Sequence, residues 1–477
     1  MIEALPQNGV PAGQILDELR ALRTADLPTH GGRLFAYVYD PARDGLDELA
    51  RAAHAVSAHV NGLDPTAFPS LLAMENALVG AAARLLGGGA ETVGSVTSGG
   101  TESLLLAVKA ARDAHPEITA PRMVVPATAH AAFAKAGHYL RVAVDVVAVR
   151  DLRADPRAMA AAIGPDTVLV AASAPSYAHG VVDPVPEIAA AAAERGVRCH
   201  VDACFGGWVL PYLRRLGAEL PDFDLSVPGV TSISVDLHKY AYAPKGVSVL
   251  LHANEELRLP QYFAYADWPG YTMVNPVVSS TRSGGPIAAA VATLRHLGDD
   301  GYLTLARTTR DAVATLAGAV RATPGVRLYA PPETTVVCLA SDGVDLFVLA
   351  DELAARGWHT QPQMSYRDLP ATIHLTVTAS VGATAAEFAP ALADAADAAR
   401  ARGPVRLPPE LLATAGALTP QQVTPELIAG LAEGLGLGAG ASGPMAAVNS
   451  LLDVAPPTLR EALLVGFLSM LQRPAVS

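Results

Sequence analysis

From residue 70 onward the apolar positions alternate between a helical spacing and short continuous runs, which predicts helices interleaved with buried strands. Residues 70–86 and 101–114 carry the helical spacing, the second directly after Ser98-Gly99-Gly100. Strand-like runs recur at 123–125, 142–149, 168–172, 197–201, 232–235 and 247–251. Helical or turn segments separate most of them, the pattern of an open, mostly parallel α/β sheet. Helical spacing resumes over 286–322, and a smaller α+β region follows with strands expected at 326–329, 335–339 and 373–377. Residues 1–65 show helical patches and a Gly31-Gly32 break but no core of their own. Beyond Pro404 lies a tail with a Gly-rich stretch at 434–443 and an apolar helix at 457–472. The expected division is an arm (1–65), a large domain (66–285), a small domain (286–404) and a tail (405–477). No repeat at solenoid periods is present.

Composition narrows the function classes. A chain of 477 residues, 51% of them apolar, can bury at least one large core. The net charge of −12 and the lack of a clustered basic stripe argue against a nucleic-acid partner. No helix-turn-helix segment is read beside the core. Cys199, Cys204 and Cys338 are unpatterned, as expected of a reduced cytoplasmic protein rather than a disulfide scaffold. The opening residues lack the basic start and apolar run of a signal peptide, and alanine-rich stretches such as 286–294 are too short to span a bilayer. No metal ligand set is expected. Among 34 basic residues there are four lysines, Lys109, Lys135, Lys239 and Lys245. Arginine can replace lysine on a solvated surface but cannot form a Schiff base, so each lysine here merits inspection.

Three segments carry candidate chemistry. Thr97-Ser98-Gly99-Gly100-Thr101-Glu102-Ser103 is a glycine turn opening a helix, whose free N–H groups and dipole make an anion site. Thr101 and Ser103 would add hydroxyl donors. The spacing is neither that of a P-loop nor that of a dinucleotide fingerprint, so a phosphate is favoured over a nucleoside triphosphate or NAD. His200-Val201-Asp202-Ala203 ends a strand, where a carboxylate points into the ligand crevice of an open α/β sheet. Held beside a pyridine nitrogen, Asp202 would keep it protonated; the alternative, read alone, is a cap for the next helix. Asp236-Leu237-His238-Lys239-Tyr240, followed by Pro244-Lys245-Gly246, places a lysine just after a buried strand. A Schiff-base lysine must lose its proton, and desolvation is expected to lower its pKa. Anion loop, carboxylate and lysine on one sheet are the parts of a pyridoxal 5′-phosphate (PLP) site.

With these segments in view, the chain resembles the group II PLP decarboxylase family, and within it the sphingosine-1-phosphate lyases. The likeness runs from about Gly32 to residue 400, with weaker echoes to about 437. It rests on Val96 to Ser103, Ala129-His130-Ala131-Ala132-Phe133, His179-Gly180-Val181-Val182-Asp183-Pro184-Val185-Pro186, His200 to Cys204, Asp236 to Gly246, Ala266-Asp267-Trp268 and Ser279 to Gly285. The resemblance implies a fold-type-I (aminotransferase-like) α/β architecture with Lys239 as the Schiff-base lysine and Asp202 on the pyridine nitrogen. It implies His130 stacked on the cofactor ring and Gly100, Thr101 and His238 around its phosphate. Tyr39 and Lys245 match residues near the substrate, and Ser280 and Thr281 would reach the cofactor phosphate of the other subunit in a homodimer.

The implied activity is retro-aldol cleavage of a 2-amino-3-hydroxy substrate to an aldehyde and an amine. α-Decarboxylation of an L-amino acid needs the same electron sink and stands as the alternative. A PLP-binding regulatory or scaffold protein is a third reading. Two departures bear on the substrate. Asp64, in Asn61-Gly62-Leu63-Asp64-Pro65, stands where the lyases carry a histidine, and Met273 stands where they carry a tyrosine. A carboxylate near a substrate phosphate would repel it, so the expectation is an enzyme that does not rely on a phosphate handle. No counterpart of the eukaryotic lyases' N-terminal membrane-spanning segment is read.

Overall fold

The computed structural model describes residues 5–408, 418–434 and 444–473. Among them, one sheet of seven strands organises the large domain. Its strands are β1 (Val93–Thr97), β2 (Arg122–Pro126), β3 (Ala143–Val147), β6 (Thr167–Ser173), β7 (Arg198–Asp202), β8 (Val230–Asp236) and β9 (Ser248–His252), with a small ribbon, β4 (Val149–Arg150) and β5 (Arg153–Ala154), between β3 and β6. The order is β1-β9-β8-β7-β6-β2-β3, and β9 alone runs against its neighbours. β6 reads Thr-Val-Leu-Val-Ala-Ala-Ser and is buried at every position. Such a continuous apolar run marks a strand covered on both faces by helices.

In this sheet every expected strand forms, the 142–149 run dividing into β3 and β4, and one more, β1, joins them. β1 escapes notice because Gly94 and Ser95 interrupt its apolar run. Gly94 is required there, since a Cβ would sit 2.7 Å from the Leu250 carbonyl oxygen of β9. β1 delivers the glycine turn to the same edge at which β7 and β8 end.

After β9 an exposed ribbon, β10 (Phe263–Tyr265) and β11 (Met273–Asn275), leads into the long helix Gly284–Ala322, which breaks at Gly298 (φ 60°). Ile287, Ala290, Tyr302 and Ala306 of this helix belong to the large core, whereas Ala312, Leu316 and Val320 belong to a second core. The change of packing partner therefore falls inside the helix, not at its start. The second core lies against an antiparallel sheet of β12 (Val326–Leu328), β13 (Val336–Ser341), β14 (Gln361–Gln363) and β15 (Thr372–Thr376), in the order β12-β13-β15-β14.

The arm is not uniformly free. Phe35 is fully buried in the small-domain core, stacked on Trp358 at 5.7 Å. Helix Ala12–Leu22 buries nothing, and Ile15, Leu16, Leu19 and Leu22 are exposed along it. In the tail, helices Pro425–Gly434, Ala446–Val454 and Pro457–Leu471 are present, the last as expected. The Gly-rich stretch lies, from 435 to 443, outside the described residues. Asp351 caps the middle helix through the N–H groups of Met445 and Ala446.

Candidate active site

The C-terminal ends of β1, β6, β7 and β8 surround a cleft of about 500 Å³. This is where open α/β sheets bind ligands. Helix Gly100–Asp113 points its N-terminus into the cleft, and its N-cap, Gly99, supplies no side-chain acceptor. The first N–H groups of the helix therefore await an external anion. Gly100 cannot be larger: a Cβ would lie 2.8 Å from Cys204 Sγ and 3.0 Å from the Asp236 carboxylate. Glu102 braces the turn by accepting from the Ser98 N–H at 2.6 Å and the Val278 N–H at 2.9 Å. Thr101 lines the cleft, but the expected hydroxyl of Ser103 does not. That residue is fully buried, with its Oγ 2.7 Å from Thr97 Oγ1.

Asp202 and Asp236 end adjacent strands, and both are buried, at 7% and 2% exposure. Asp202 Oδ1 accepts from the Cys204 N–H at 3.1 Å and keeps further lone pairs for a ligand. Asp236 is occupied. Its Oδ2 lies 2.9 Å from Lys239 Nζ and 3.5 Å from His238 Nε2, and its Oδ1 accepts from Ser248 Oγ at 2.6 Å.

The expected lowering of the Lys239 pKa is therefore corrected. Burial does act to lower it, but the Asp236 carboxylate, helped by Cys204 and Asp202, wins, and the amine is held above the ordinary lysine range. The Asp236 carboxyl is lowered in turn: burial opposes ionisation, and Lys239, His238 and Ser248 outweigh it. His238 donates from Nδ1 to the Val247 carbonyl at 3.0 Å, and burial lowers its pKa despite Asp236.

His130 lines the cleft with its ring fixed by the Ala132 N–H, which donates to Nδ1 at 3.1 Å. Lys245 stands at the mouth, its Nζ 5.1 Å from the centre of the Tyr39 ring, and its pKa is lowered by burial and by Lys239. Tyr39 does not itself line the cleft; it borders it through Lys245 and packs edge-on against Tyr240 at 5.1 Å. Burial, then Tyr177 and Asp236, keeps its phenol protonated.

Three anticipated residues lie elsewhere in this chain. Asp64 is exposed in a turn, accepting from the Thr66 N–H at 2.8 Å and Thr66 Oγ1 at 2.6 Å, bonds that lower its pKa. It does not line the cleft, so the charge repulsion expected of it does not arise within the chain. Ser280 and Thr281 follow the exposed β10–β11 ribbon and do not line the cleft either. Conversely, Asp236, Cys204, Tyr177 and Phe205 line it without having been singled out. Asp236 could have been found by the signal that revealed Asp202, an aspartate closing an apolar strand.

These residues fit PLP. An uncapped helix start could take the phosphate, Asp202 has spare acceptor capacity, and a lysine and an imidazole line the same cleft. Fold and site together define a PLP-dependent enzyme of the aminotransferase-like α/β class. The pyridoxal-dependent decarboxylase conserved domain matches residues 4–341. The sphingosine-1-phosphate lyase of Dictyostelium discoideum is 36% identical over 382 residues, covering 79% of this chain and 71% of that one. The rice enzyme of the same name is 35% identical, over 84% of this chain and 76% of its own. The solved Burkholderia pseudomallei sphingosine-1-phosphate lyase superposes with a TM-score of 0.80 at 34% identity, covering 84% of this chain and 94% of that one. A Lactobacillus brevis glutamate decarboxylase, at 18% identity and a TM-score of 0.74, shares the fold. The chain belongs to the pyridoxal-dependent decarboxylase family, as a sphingosine-1-phosphate lyase-like member, and is a PLP-dependent lyase.

A second domain, described as the C-terminal putative HTH domain of pyridoxal-dependent enzymes, matches residues 409–470. That overturns the expectation that no such segment flanks the core. The apolar helix at 457–472 drew attention by itself, but its partners are short and separated by glycine-rich sequence. The matched stretch holds five acidic residues and a single basic one, Arg460, and so lacks the positive footprint of a nucleic-acid reader.

Proposed function

We propose that this enzyme cleaves the Cα–Cβ bond of a phosphorylated 2-amino-3-hydroxy compound of the sphingosine-1-phosphate type, giving an aldehyde and a phosphorylated amine. The observation that carries this reading is Lys245. Lys239 is neutralised by Asp236, whereas Lys245 makes no ion pair among the described residues and stands at the mouth of the same cleft. A lysine left unpaired beside another cation suits a substrate anion, which replaces the expectation of a substrate without a phosphate.

When bound, PLP supplies the electron sink for the pair released at Cα. In this proposal Asp202 holds the ring nitrogen protonated, the start of helix Gly100–Asp113 with Thr101 and His238 anchors the cofactor phosphate, and His130 covers the ring. Lys239, as a neutral amine, would take the substrate's hydroxyl proton, be held as an ammonium group by Asp236, and return that same proton to Cα. Tyr39 remains protonated and supports Lys245 instead of acting as the substrate's base.

The active unit in this reading is a homodimer in the cytoplasm. Helix Ala12–Leu22 and the β10–β11 ribbon leave Leu19, Phe263 and Tyr265 exposed, surfaces that a second copy would cover. The three buried free thiols suit a reducing compartment. Among the described residues no helix is long and apolar enough to cross a membrane.

The test is incubation with sphingosine 1-phosphate and with a panel of L-amino acids, measuring aldehyde and carbon dioxide separately. Aldehyde from the phosphorylated base without carbon dioxide is expected. Carbon dioxide from an amino acid with no aldehyde would establish the decarboxylase instead.

A further inference from the structure

Cys204 lines the cofactor cleft together with Lys239, and it is 6% exposed. Its backbone is held from both sides. The Cys204 N–H donates to Asp202 Oδ1 at 3.1 Å, and its carbonyl accepts from the Asp236 N–H at 3.2 Å. With the main chain fixed by the two strand ends, the side chain is left with its choice of rotamer. The rotamer adopted puts the sulfur beside Gly100, where an added Cβ would sit 2.8 Å away. It also brings Sγ to 3.1 Å from Ser234 Oγ on β8.

Ser234 is fully buried and, unlike Cys204, does not line the cleft. Its hydroxyl lies 3.2 Å from His200 Nε2, while Nδ1 of that ring meets Ser232 Oγ at 2.9 Å. Burial keeps the imidazole neutral, so it carries one proton, on one nitrogen or the other. Where Nε2 accepts, the Ser234 O–H donates to it; where Nε2 carries the proton, it donates to Ser234. In both cases Ser234 Oγ keeps a lone pair for the thiol S–H. The chain from His200 through Ser234 thus turns the thiol proton into the sheet. Burial, then Asp236 and Asp202, raises the thiol's pKa well above its ordinary value, against the pull of Lys239 and Ser234.

A reactive thiol would be a hazard at this position. It adds to an aldehyde by forming a C–S bond, while the carbonyl pair moves to oxygen and that oxygen takes the thiol proton. The thiolate is the attacking form. The cleft receives one aldehyde with PLP and, in the proposed cleavage, releases a second. Attack by Cys204 would compete with Lys239 for the first and retain the other.

We propose that Ser234 and His200 are positioning residues that hold the Cys204 thiol as an inward-pointing donor, leaving carbonyl chemistry in the cleft to Lys239. This rests on the assignment of PLP to Lys239 and adds what keeps a neighbouring nucleophile silent.

The test compares the full-length wild type with Ser234→Ala, as apoprotein and after loading with PLP. Iodoacetamide labelling of the apoprotein, mapped peptide by peptide, should be about tenfold or more faster at Cys204 in the variant. Cys199 and Cys338, 0% and 1% exposed, should stay unlabelled in both and so report any general loosening. After loading, Ser234→Ala should hold less borohydride-fixed cofactor on Lys239. Adding Cys204→Ala should restore that label to the wild-type level, which a merely structural defect would not allow. His200→Phe should repeat both effects if Ser234→Ala fails to fold. Unchanged labelling of Cys204, or a loss of label that Cys204→Ala leaves in place, would overturn the proposal. A wild type without label on Lys239 would sink the cofactor assignment instead, and the iodoacetamide comparison would still decide the role of Ser234.

Discussion

Strands β7 and β8 lie side by side, and each ends in a buried aspartate, yet the two carboxylates are spent differently. Asp236 is matched internally by Lys239, Ser248 and His238. Asp202 is matched by one backbone N–H and nothing else among the described residues. Burying a carboxylate is costly unless partners offset it. The under-partnered aspartate is therefore the one built for an external cation, and the satisfied one is built to govern the lysine. Rank by burial would not have separated them; partners do.

Lys239→Ala should have the largest effect, a loss of roughly a thousandfold or more in kcat, because Lys245, the other lysine on the cleft, does not pair with Asp236. Activity within tenfold of wild type would end the assignment. Asp202→Asn should follow, with kcat down on the order of a hundredfold, since a neutral amide cannot hold the ring nitrogen protonated. Asp236→Asn should act the other way on one observable. Without its carboxylate Lys239 deprotonates more readily, so the apoprotein should capture PLP about tenfold faster at neutral pH, while turnover falls. If the two asparagine variants behaved alike in capture rate, the contrast between the strand ends would be lost.

The link between the strands is titratable. His200 on β7 is fully buried, with Nδ1 2.9 Å from Ser232 Oγ and Nε2 3.2 Å from Ser234 Oγ on β8. Burial, then His252, lowers its pKa to about 3. An unfolded chain takes up this proton near the ordinary value of about 6.5, so the stabilisation is complete above that pH. It is lost as pH falls toward 3, at roughly 1.4 kcal/mol per unit across the window. His179 and His374, each lowered to about 4 by burial, add to the slope. The melting temperature should therefore drop between pH 6.5 and 4, and PLP should be released over the same range. A flat profile would show that the histidines are not buried as described. Asp64→His should be the mildest change, within about twofold in kcat/KM and about 0.5 kcal/mol in stability, because the side chain is exposed and bonded only to its own turn.

The three segments that meet at the cleft were legible in the sequence because each is local. A glycine turn opening a helix, an aspartate closing a strand and a lysine after a strand each sit within a few residues of the element that positions them. What the sequence hid is relational. The pairing of Asp236 with Lys239 depends on how the turn after β8 folds back, and it reverses the pKa expected from burial alone. Ser103 read as a free donor until Thr97 of β1 was seen to hold it. Asp64 read as a substrate contact from its aligned position, yet its own turn keeps it at the surface. Cys204 meets Ser234, and Ser234 meets His200, because β7 and β8 lie side by side, a juxtaposition no local pattern encodes.

The central claim is that Lys239, flanked by a free and a spent aspartate, is the residue that carries PLP. Reducing the PLP-loaded protein with borohydride and mapping the modified peptide tests it most directly. The label should lie on Lys239 and survive in Asp236→Asn. Label on Lys245, or a protein that stays unmodified after loading, would contradict the account.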